Sequence, residues 1–154
     1  MNLPEGLEEI GAYALYYIPV DFKLPSTLKR IGNSAFAQSG ITEVHFGDAI
    51  EAVDDRAFNF CKKLVKAELT KETQNCEGLY LYCDNLAEVT IEDGVTYIPE
   101  NCFFDCFALT SVVLPDSVTE IGKSAFYGCD FSSLDFLNTG SVTTLGDFCF
   151  AGTD

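Results

Sequence analysis

The chain has 154 residues, a length that suits one domain, and its 47% apolar and 21% charged residues exclude general disorder. Nine Lys and Arg stand against 24 Asp and Glu, so the net charge is −15, which disfavours direct binding of nucleic acid. No apolar run approaches the roughly 18 residues that a membrane span needs.

In chain order, the predicted elements are copies of one repeat. Two apolar columns recur in each copy, followed by a small residue and then usually by a large ring, as in Ala35-Phe36 and Ala125-Phe126. No single copy can bury these residues alone, so the pattern predicts stacked coils. The coils start 21 to 23 residues apart at Leu3, Leu24, Phe46, Leu69, Ile91, Leu114 and Phe136.

Each coil contains elements of two kinds. Alternating apolar and polar residues predict strands with one buried face, and parallel pairing from coil to coil. Residues 33–36 and 123–126 are expected to form short helical turns, and Gly32 and its counterparts are expected to relax tight bends. The predicted strands are residues 19–24, 41–46, 64–69, 86–91 and 109–114.

Residues 109–129 carry most of the motif Leu-Pro-x-Ser-Val-x-x-Ile-Gly-x-x-Ala-Phe-x-x-Cys-x-x-Leu-x-x-Val-x-Leu, and weaker copies extend over the chain. The motif resembles the BspA-type leucine-rich repeat. That resemblance implies an α/β repeat fold: a right-handed leucine-rich-repeat solenoid of about seven coils of 21–24 residues, as one domain over residues 1–154. It implies protein binding or adhesion, with no catalytic residue and no cofactor. Residues 71–78 depart most from the motif, which predicts irregularity in the fourth coil.

The seven cysteines all fall at positions that the repeat assigns to the interior, so we expect buried, free thiols. The sequence has no Cys-x-x-Cys and only one histidine, so it predicts no zinc site. One column holds four of the cysteines, two occupy the small-residue column, and one replaces Ile or Val: Cys61, Cys83, Cys106 and Cys129; Cys102 and Cys149; Cys76.

The outward strand positions are the best candidate for a partner-binding surface. His45 lies there between Lys23 and Glu68, either as a polar rung or as a pH-sensitive contact. Val113 and nearby Phe131 are expected to be exposed and to suit a protein contact. The predicted partner-binding residues are Asp21, Lys23, Glu43, His45, Lys66, Glu68, Glu88, Thr90, Ser111, Val113 and Asp135.

The acidic excess is concentrated in the second half of the chain. Residues 72–154 hold 14 acidic residues and one basic residue, Lys123, whereas residues 1–71 hold ten acidic and eight basic residues. This excess either serves solubility or attracts a basic partner. No Asp-x-Asp-x-Asp-Gly loop is present, so no metal site is predicted. The predicted acidic patch is Asp84, Glu92, Asp93, Asp105, Asp116 and Asp130.

Two functions fit these observations. The first is a non-catalytic module for protein recognition or cell-surface adhesion through the strand-lined face. The alternative is a small acidic intracellular inhibitor that binds the basic nucleic-acid groove of a defence nuclease, as phage anti-defence proteins do. Either way the expected partner is another protein. The abrupt apolar ends also allow self-association. We expect a surface location for a fragment of a secreted protein and a cytoplasmic one for a complete chain.

Overall fold

The strands of this chain are short, parallel and repeated at the period of the sequence. The computed structural model describes residues 1–138 and 141–152, and its one helix within them is a 3₁₀ helix at Asp135–Asn138. The strands are β1 (Glu9–Ile10), β2 (Arg30–Ile31), β3 (Ala52–Val53), β4 (Lys66–Leu69), β5 (Glu88–Ile91), β6 (Tyr97–Ile98), β7 (Glu120–Ile121) and β8 (Thr144–Leu145).

These strands form two rows along the solenoid. The first row pairs β4 with β5 and adds isolated parallel bridges, Asn2 to Lys23 and Glu43 to Lys66. The second row consists of two three-stranded sheets, β1-β2-β3 and β6-β7-β8. Residues at equal repeat positions face each other, as Ile10 and Ile31 do. The predicted stacking of coils with parallel pairing is therefore confirmed.

The positions of the strands differ in part from the prediction. Segments 64–69 and 86–91 contain β4 and β5, but 19–24 and 41–46 contribute only isolated bridges. Segment 109–114 forms no strand, and the Ala108 N–H just before it donates to the Asp84 carbonyl. Its apolar residues Leu109, Val112 and Leu114 are still buried, so the apolar pattern determines burial without determining backbone pairing.

The expected helical turns are hydrogen-bonded turns of another kind. In residues 33–39, the N–H groups of Ala35, Ala37 and Ser39 bind carbonyls three residues back. The N–H groups between them bind the next coil: Ser34 donates to Asp55, Phe36 to Ala57 and Gln38 to Asn59. A helix is excluded because Ser34 and Gln38 have φ of 52° and 56°, which is left-handed.

This turn segment is the continuous element of the fold. Three rows of N–H groups donate from each coil to the next, without a gap from the first coil to the last. The donors at the aromatic column, for example, are Leu15, Phe36, Phe58, Tyr80, Phe103 and Phe126.

The fourth coil interrupts the second strand row, as the sequence predicted. Cys76 stands where a strand would form, and side chains replace the missing backbone bonds. The Glu77 N–H donates to Asp55 Oδ1 at 2.8 Å, and Cys76 Sγ donates to the Val53 carbonyl at 2.8 Å. The Thr96 N–H donates to Gln74 Oε1 at 2.8 Å. The coil therefore keeps its place in the stack.

Stacked rings fill the interior beside the small-residue column. Phe36 and Phe58 lie 5.1 Å apart at their centroids, Tyr80 and Phe103 5.8 Å, and Phe103 and Phe126 5.2 Å. Stacked aromatic pairs add about 0.5–1.5 kcal/mol beyond the area that they bury. One buried cluster runs from Leu3 to Cys149 and joins the coils.

The glycines after the second apolar column allow close approach between coils. A Cβ at Gly32 would lie 2.5 Å from the Ala12 nitrogen, and one at Gly146 2.5 Å from the Lys123 nitrogen. None of these glycines has a left-handed φ, so the expectation that they relax a bend is wrong. Gly32, Gly122 and Gly146 are needed because the neighbouring backbone occupies the space of a side chain.

Candidate functional site

The first strand row presents alternate side chains outward. In β4, Ala67 and Leu69 are buried, while Lys66 is exposed and Glu68 half-buried. The period-two backbone of a strand dictates this alternation. We call the outward side of the first strand row, including the bridged segments around Lys23 and Glu43, the strand-lined face.

Two shallow grooves lie on the strand-lined face. The first has a volume of about 440 Å³ and runs between coils 1 and 2, with Asp21, Lys23, Glu43 and His45 in its lining. Asp21 Oδ1 accepts hydrogen bonds from the Thr42 N–H at 3.0 Å and the Thr42 hydroxyl at 3.1 Å, which fixes this carboxylate in the groove wall.

The second groove, of about 260 Å³, shares Glu43 and His45 with the first and extends to Glu88 and Thr90. His45 Nδ1 lies 2.5 Å from Glu68 Oε1, while Glu68 Oε2 accepts the Phe46 N–H at 3.0 Å. His45 is 81% exposed, so a ligand can reach the imidazole.

Lys66 and Glu88 form an ion pair across the second groove, with 3.0 Å between Lys66 Nζ and Glu88 Oε2. The hydrogen bond from Lys66 to Glu88 raises the pKa of Lys66. The strand-lined face thus carries positive and negative side chains in alternation, held by ion pairs. Such a face can contact a ligand through ion pairs and hydrogen bonds.

The structure places the remaining predicted face residues less regularly. Ser111 and Val113 are exposed, Val113 by 83%, but they lie outside any strand. Asp135 begins the 3₁₀ helix and does not extend the ladder. Phe131 is 4% exposed because its ring packs on Phe126, so its expected exposure is wrong.

The acidic patch is divided between paired and unpaired carboxylates. Lys62 Nζ lies 2.6 Å from both oxygens of Asp84, and Lys71 Nζ lies 3.7 Å from Glu92. Burial, and then the charge of Asp84, raises the pKa of Asp105. Within the described residues, no basic side chain forms an ion pair with Asp93, Asp105, Asp116 or Asp130.

The seven cysteines are buried and free, as predicted. The column thiols donate to carbonyls of the preceding coil; for example, Cys83 Sγ lies 3.2 Å from the Phe58 oxygen. Burial raises the pKa of Cys102 and Cys106 well above its usual value. These thiols are therefore packing groups. Among the described residues, no three His, Cys, Asp or Glu side chains converge as metal ligands would.

A surface row of rings escaped the sequence analysis. Phe60, Tyr82, Phe104 and Tyr127 are half-buried and contact each other from coil to coil. The signal was present: an aromatic residue recurs two or three places after the small-residue column. The position of the ring in the repeat shifts by one between Tyr82 and Phe104. The four rings therefore fall into two different columns when the repeats are aligned without gaps.

A protein-family model, the BspA type leucine rich repeat region, matches residues 1–79 and 77–154 in six copies. The chain belongs to this family, and the resemblance inferred from residues 109–129 is confirmed. No curated protein shows significant similarity to the chain.

Two solved structures share the fold. A leucine-rich repeat protein from Bacteroides ovatus is 24% identical with a TM-score of 0.73, covering 98% of this chain and 45% of that one. A leucine rich cell surface protein from Faecalibacterium prausnitzii is 25% identical with a TM-score of 0.74, covering 95% of this chain and 40% of that one. The chain therefore spans less than half of each. Within its described part, no helix is long and apolar enough to cross a bilayer.

Proposed function

We propose that this chain is a non-catalytic module that recognises a protein, in cell-surface adhesion, through the strand-lined face. The observation that carries the proposal is the pair of grooves that meet at Glu43 and His45. Their walls hold fixed charges of both signs, which give specificity for a complementary protein surface. The similar Faecalibacterium protein is described as a cell surface protein, which supports adhesion.

A charge swap on the face tests this proposal. In the first variant, Lys23→Glu is combined with Glu43→Lys, so the net charge is unchanged while the groove pattern is inverted. A matched control combines Arg30→Glu with Glu51→Lys, two exposed residues away from the grooves. Immobilised wild type and both variants are incubated with biotinylated surface proteins of the source cell and its host, and retained proteins are compared by mass spectrometry.

We expect the groove swap to lose partners that the wild type and the control both retain. Partners retained equally by all three proteins would contradict a role for the strand-lined face. Adhesion predicts retention through washes at physiological salt.

The unpaired acids favour a second candidate function, inhibition of a basic cytosolic protein. Asp93 and Asp116 are exposed and have no described ion pair, and the one base after residue 71, Lys123, already pairs with Glu100 at 3.8 Å. Here a basic nucleic-acid-handling protein would be captured and released at moderate salt. The triple variant Glu88→Lys, Glu92→Lys and Asp93→Lys would abolish that capture, and unchanged capture would exclude the inhibitor.

A further inference from the structure

The surface row of rings lies on the turn segment, away from the residues of the strand-lined face. We call Phe60, Tyr82, Phe104 and Tyr127 the aromatic strip. The ring centroids of Phe60 and Tyr82 lie 4.6 Å apart, those of Tyr82 and Phe104 5.5 Å, and those of Phe104 and Tyr127 4.6 Å. The strip therefore crosses four successive coils as a continuous, half-buried aromatic surface.

A cation of the chain itself already lies on one end of the strip. Lys62 Nζ is 5.8 Å from the centroid of the Phe60 ring and 2.6 Å from both oxygens of Asp84. An ammonium over a ring face with a carboxylate beside it combines cation–π attraction with an ion pair. The Phe60 end of the strip thus shows that these rings accept a cation beside a carboxylate.

The other end of the strip has carboxylates beside it, but no described base forms an ion pair with them. Lys62 occupies the position after the column cysteine, and the same position two and three coils later holds Phe107, 54% exposed, and Asp130, exposed. Asp105 follows Phe104 in the same turn, and its N–H donates to the Tyr127 carbonyl at 2.7 Å.

Among the described residues, no base forms an ion pair with Asp105 or Asp130, and Lys62, which acts on Asp105, is already paired with Asp84. Beyond residue 71 the one basic side chain is Lys123, which pairs with Glu100 at 3.8 Å. Burial, and then the charge of Asp84, raises the pKa of Asp105, and the charge of Lys62 opposes this rise only in part. Further positive charge at this end would have to come from a partner.

We propose that the aromatic strip binds a Lys- or Arg-rich segment of a partner protein. The cationic side chains of that segment lie over the exposed ring of Phe107 and over the face of Tyr127 that Phe104 does not cover, against the carboxylates of Asp105 and Asp130, as Lys62 lies over Phe60 beside Asp84. This surface is separate from the strand-lined face and does not depend on the function proposed for that face.

The experiment uses the full chain and a fluorescein-labelled peptide of twelve alternating Arg and Gly residues. Fluorescence anisotropy measures its affinity, with a citrulline-for-Arg peptide as the uncharged control. Three variants are compared: Phe107→Ser, the pair Phe104→Leu and Tyr127→Leu, and the pair Asp105→Asn and Asp130→Asn. A charge-matched control on the other surface combines Glu43→Gln with Glu88→Gln.

We expect the Arg peptide to bind and the citrulline peptide not to bind. Loss of a cation–π contact should weaken binding by about two- to five-fold for each ring variant, since such contacts contribute about 0.5–1 kcal/mol at exposed sites. The Asp105 and Asp130 pair should weaken it by about five-fold, and the strand-lined control by less than about two-fold, from exposed ion-pair magnitudes.

Three results would overturn the proposal: no binding of the Arg peptide, equal weakening by both charge-neutralising pairs, or unchanged affinity in Phe107→Ser. Phe107 is exposed, so that variant should remain folded even where the leucine pair does not. Nuclear Overhauser contacts between Arg side chains and the ring protons of Tyr127 provide an independent check, and their absence in the bound state would also contradict the proposal.

Discussion

Single residues determine how closely successive coils stack. Gly32 and Gly146 leave room for the neighbouring backbone, whereas Gly11, in the same column of the first coil, has no atom within 4 Å of the place that a methyl group would take. The same residue type therefore has a different role at the end of the solenoid and within it.

We predict that Gly32→Ala lowers the free energy of unfolding by about 1–3 kcal/mol, because the added methyl group overlaps backbone that cannot rotate away. Gly11→Ala is the matched control and should be neutral or stabilising by up to about 1 kcal/mol. Urea unfolding of both variants measures the difference. Equal destabilisation of the two would show that close approach is not the reason for this glycine column.

The buried thiols predict how stability depends on pH. Burial raises the pKa of Cys76 to about 12 from 9.0. The folded state holds the thiol proton of Cys76 more tightly than the unfolded state. The contribution of this thiol to the free energy of unfolding is therefore complete below pH 9 and falls as pH rises from 9 towards 12.

Cys76→Val tests this dependence, because the equivalent position in the preceding coil is Val53. Between pH 8 and pH 10, under reducing conditions, the wild type should lose about 1 kcal/mol more stability than the variant. Urea unfolding at the two pH values gives the comparison. Parallel losses would mean that Cys76 does not titrate on unfolding.

Among elements, the turn segment holds the stack together while the strand rows are interrupted. At the fourth coil the second strand row has no strand, yet the Arg56 N–H donates to Glu77 and the Gly78 N–H to Glu100, so the turn rows continue. Side chains such as Asp55 and Gln74 supply the acceptors that the backbone of this coil does not.

We predict that Asp55→Ala costs about 1–2 kcal/mol of stability, because it leaves the Glu77 N–H without its acceptor. Asp55→Asn retains an oxygen and should cost less than half as much. Hydrogen exchange at the Glu77 amide should accelerate in the alanine variant and little in the asparagine variant. Equal exchange in the two would show that the Asp55 carboxylate does not hold this coil.

The sequence predicted burial in these elements better than it predicted hydrogen bonding. Columns such as Ile31 and Phe58 were recognised because burial follows the repeat period directly. The two-residue strands of the second row were missed, since period two is invisible in so short a segment. The left-handed φ of Phe60 and Tyr82 could not be read from their residue types, which disfavour it.

For the strand-lined face, the sequence likewise predicted which side chains point outward but not every contact that they make. Outward positions such as Lys66 and His45 follow from strand alternation, and the structure gathers them around two grooves. Phe131 was misjudged because its ring contacts Phe126 and Phe136, which are five residues away on either side and come together only through the fold. The binding roles of all these residues stay predictions.

For the whole molecule, charge is distributed very unevenly along the axis. Among the described residues, six of the nine Lys and Arg form ion pairs with acids of an adjacent coil, and five of those six acids lie after residue 71. Acids without an ion pair therefore remain in both halves of the chain, and their mutual repulsion opposes folding.

We predict that raising NaCl from about 50 to about 500 mM increases the Tm by about 2–5 °C, because the screening distance falls from about 14 Å to about 4 Å. A variant with Asn at Asp93, Asp105, Asp116 and Asp130 should gain less than half of that increase and should start from a higher Tm. Thermal unfolding followed by circular dichroism gives both values. A Tm independent of salt in the wild type would show that the acids do not repel each other appreciably.

The three rows of N–H groups in the turn segment also have an electrical consequence for that side of the rod. Every bond in these rows points the same way, from one coil towards the next in sequence, as in Ser34 to Asp55 and Ser124 to Asp147. Aligned peptide dipoles add, as they do along a helix, with the positive end in the direction of the N–H groups. In the turn segment that end is the C-terminal one, and Asp105 and Asp130, which form no described ion pair, lie in the later coils towards it. The positive end of these main-chain dipoles therefore points towards negatively charged side chains. This attraction stabilises the acidic turns.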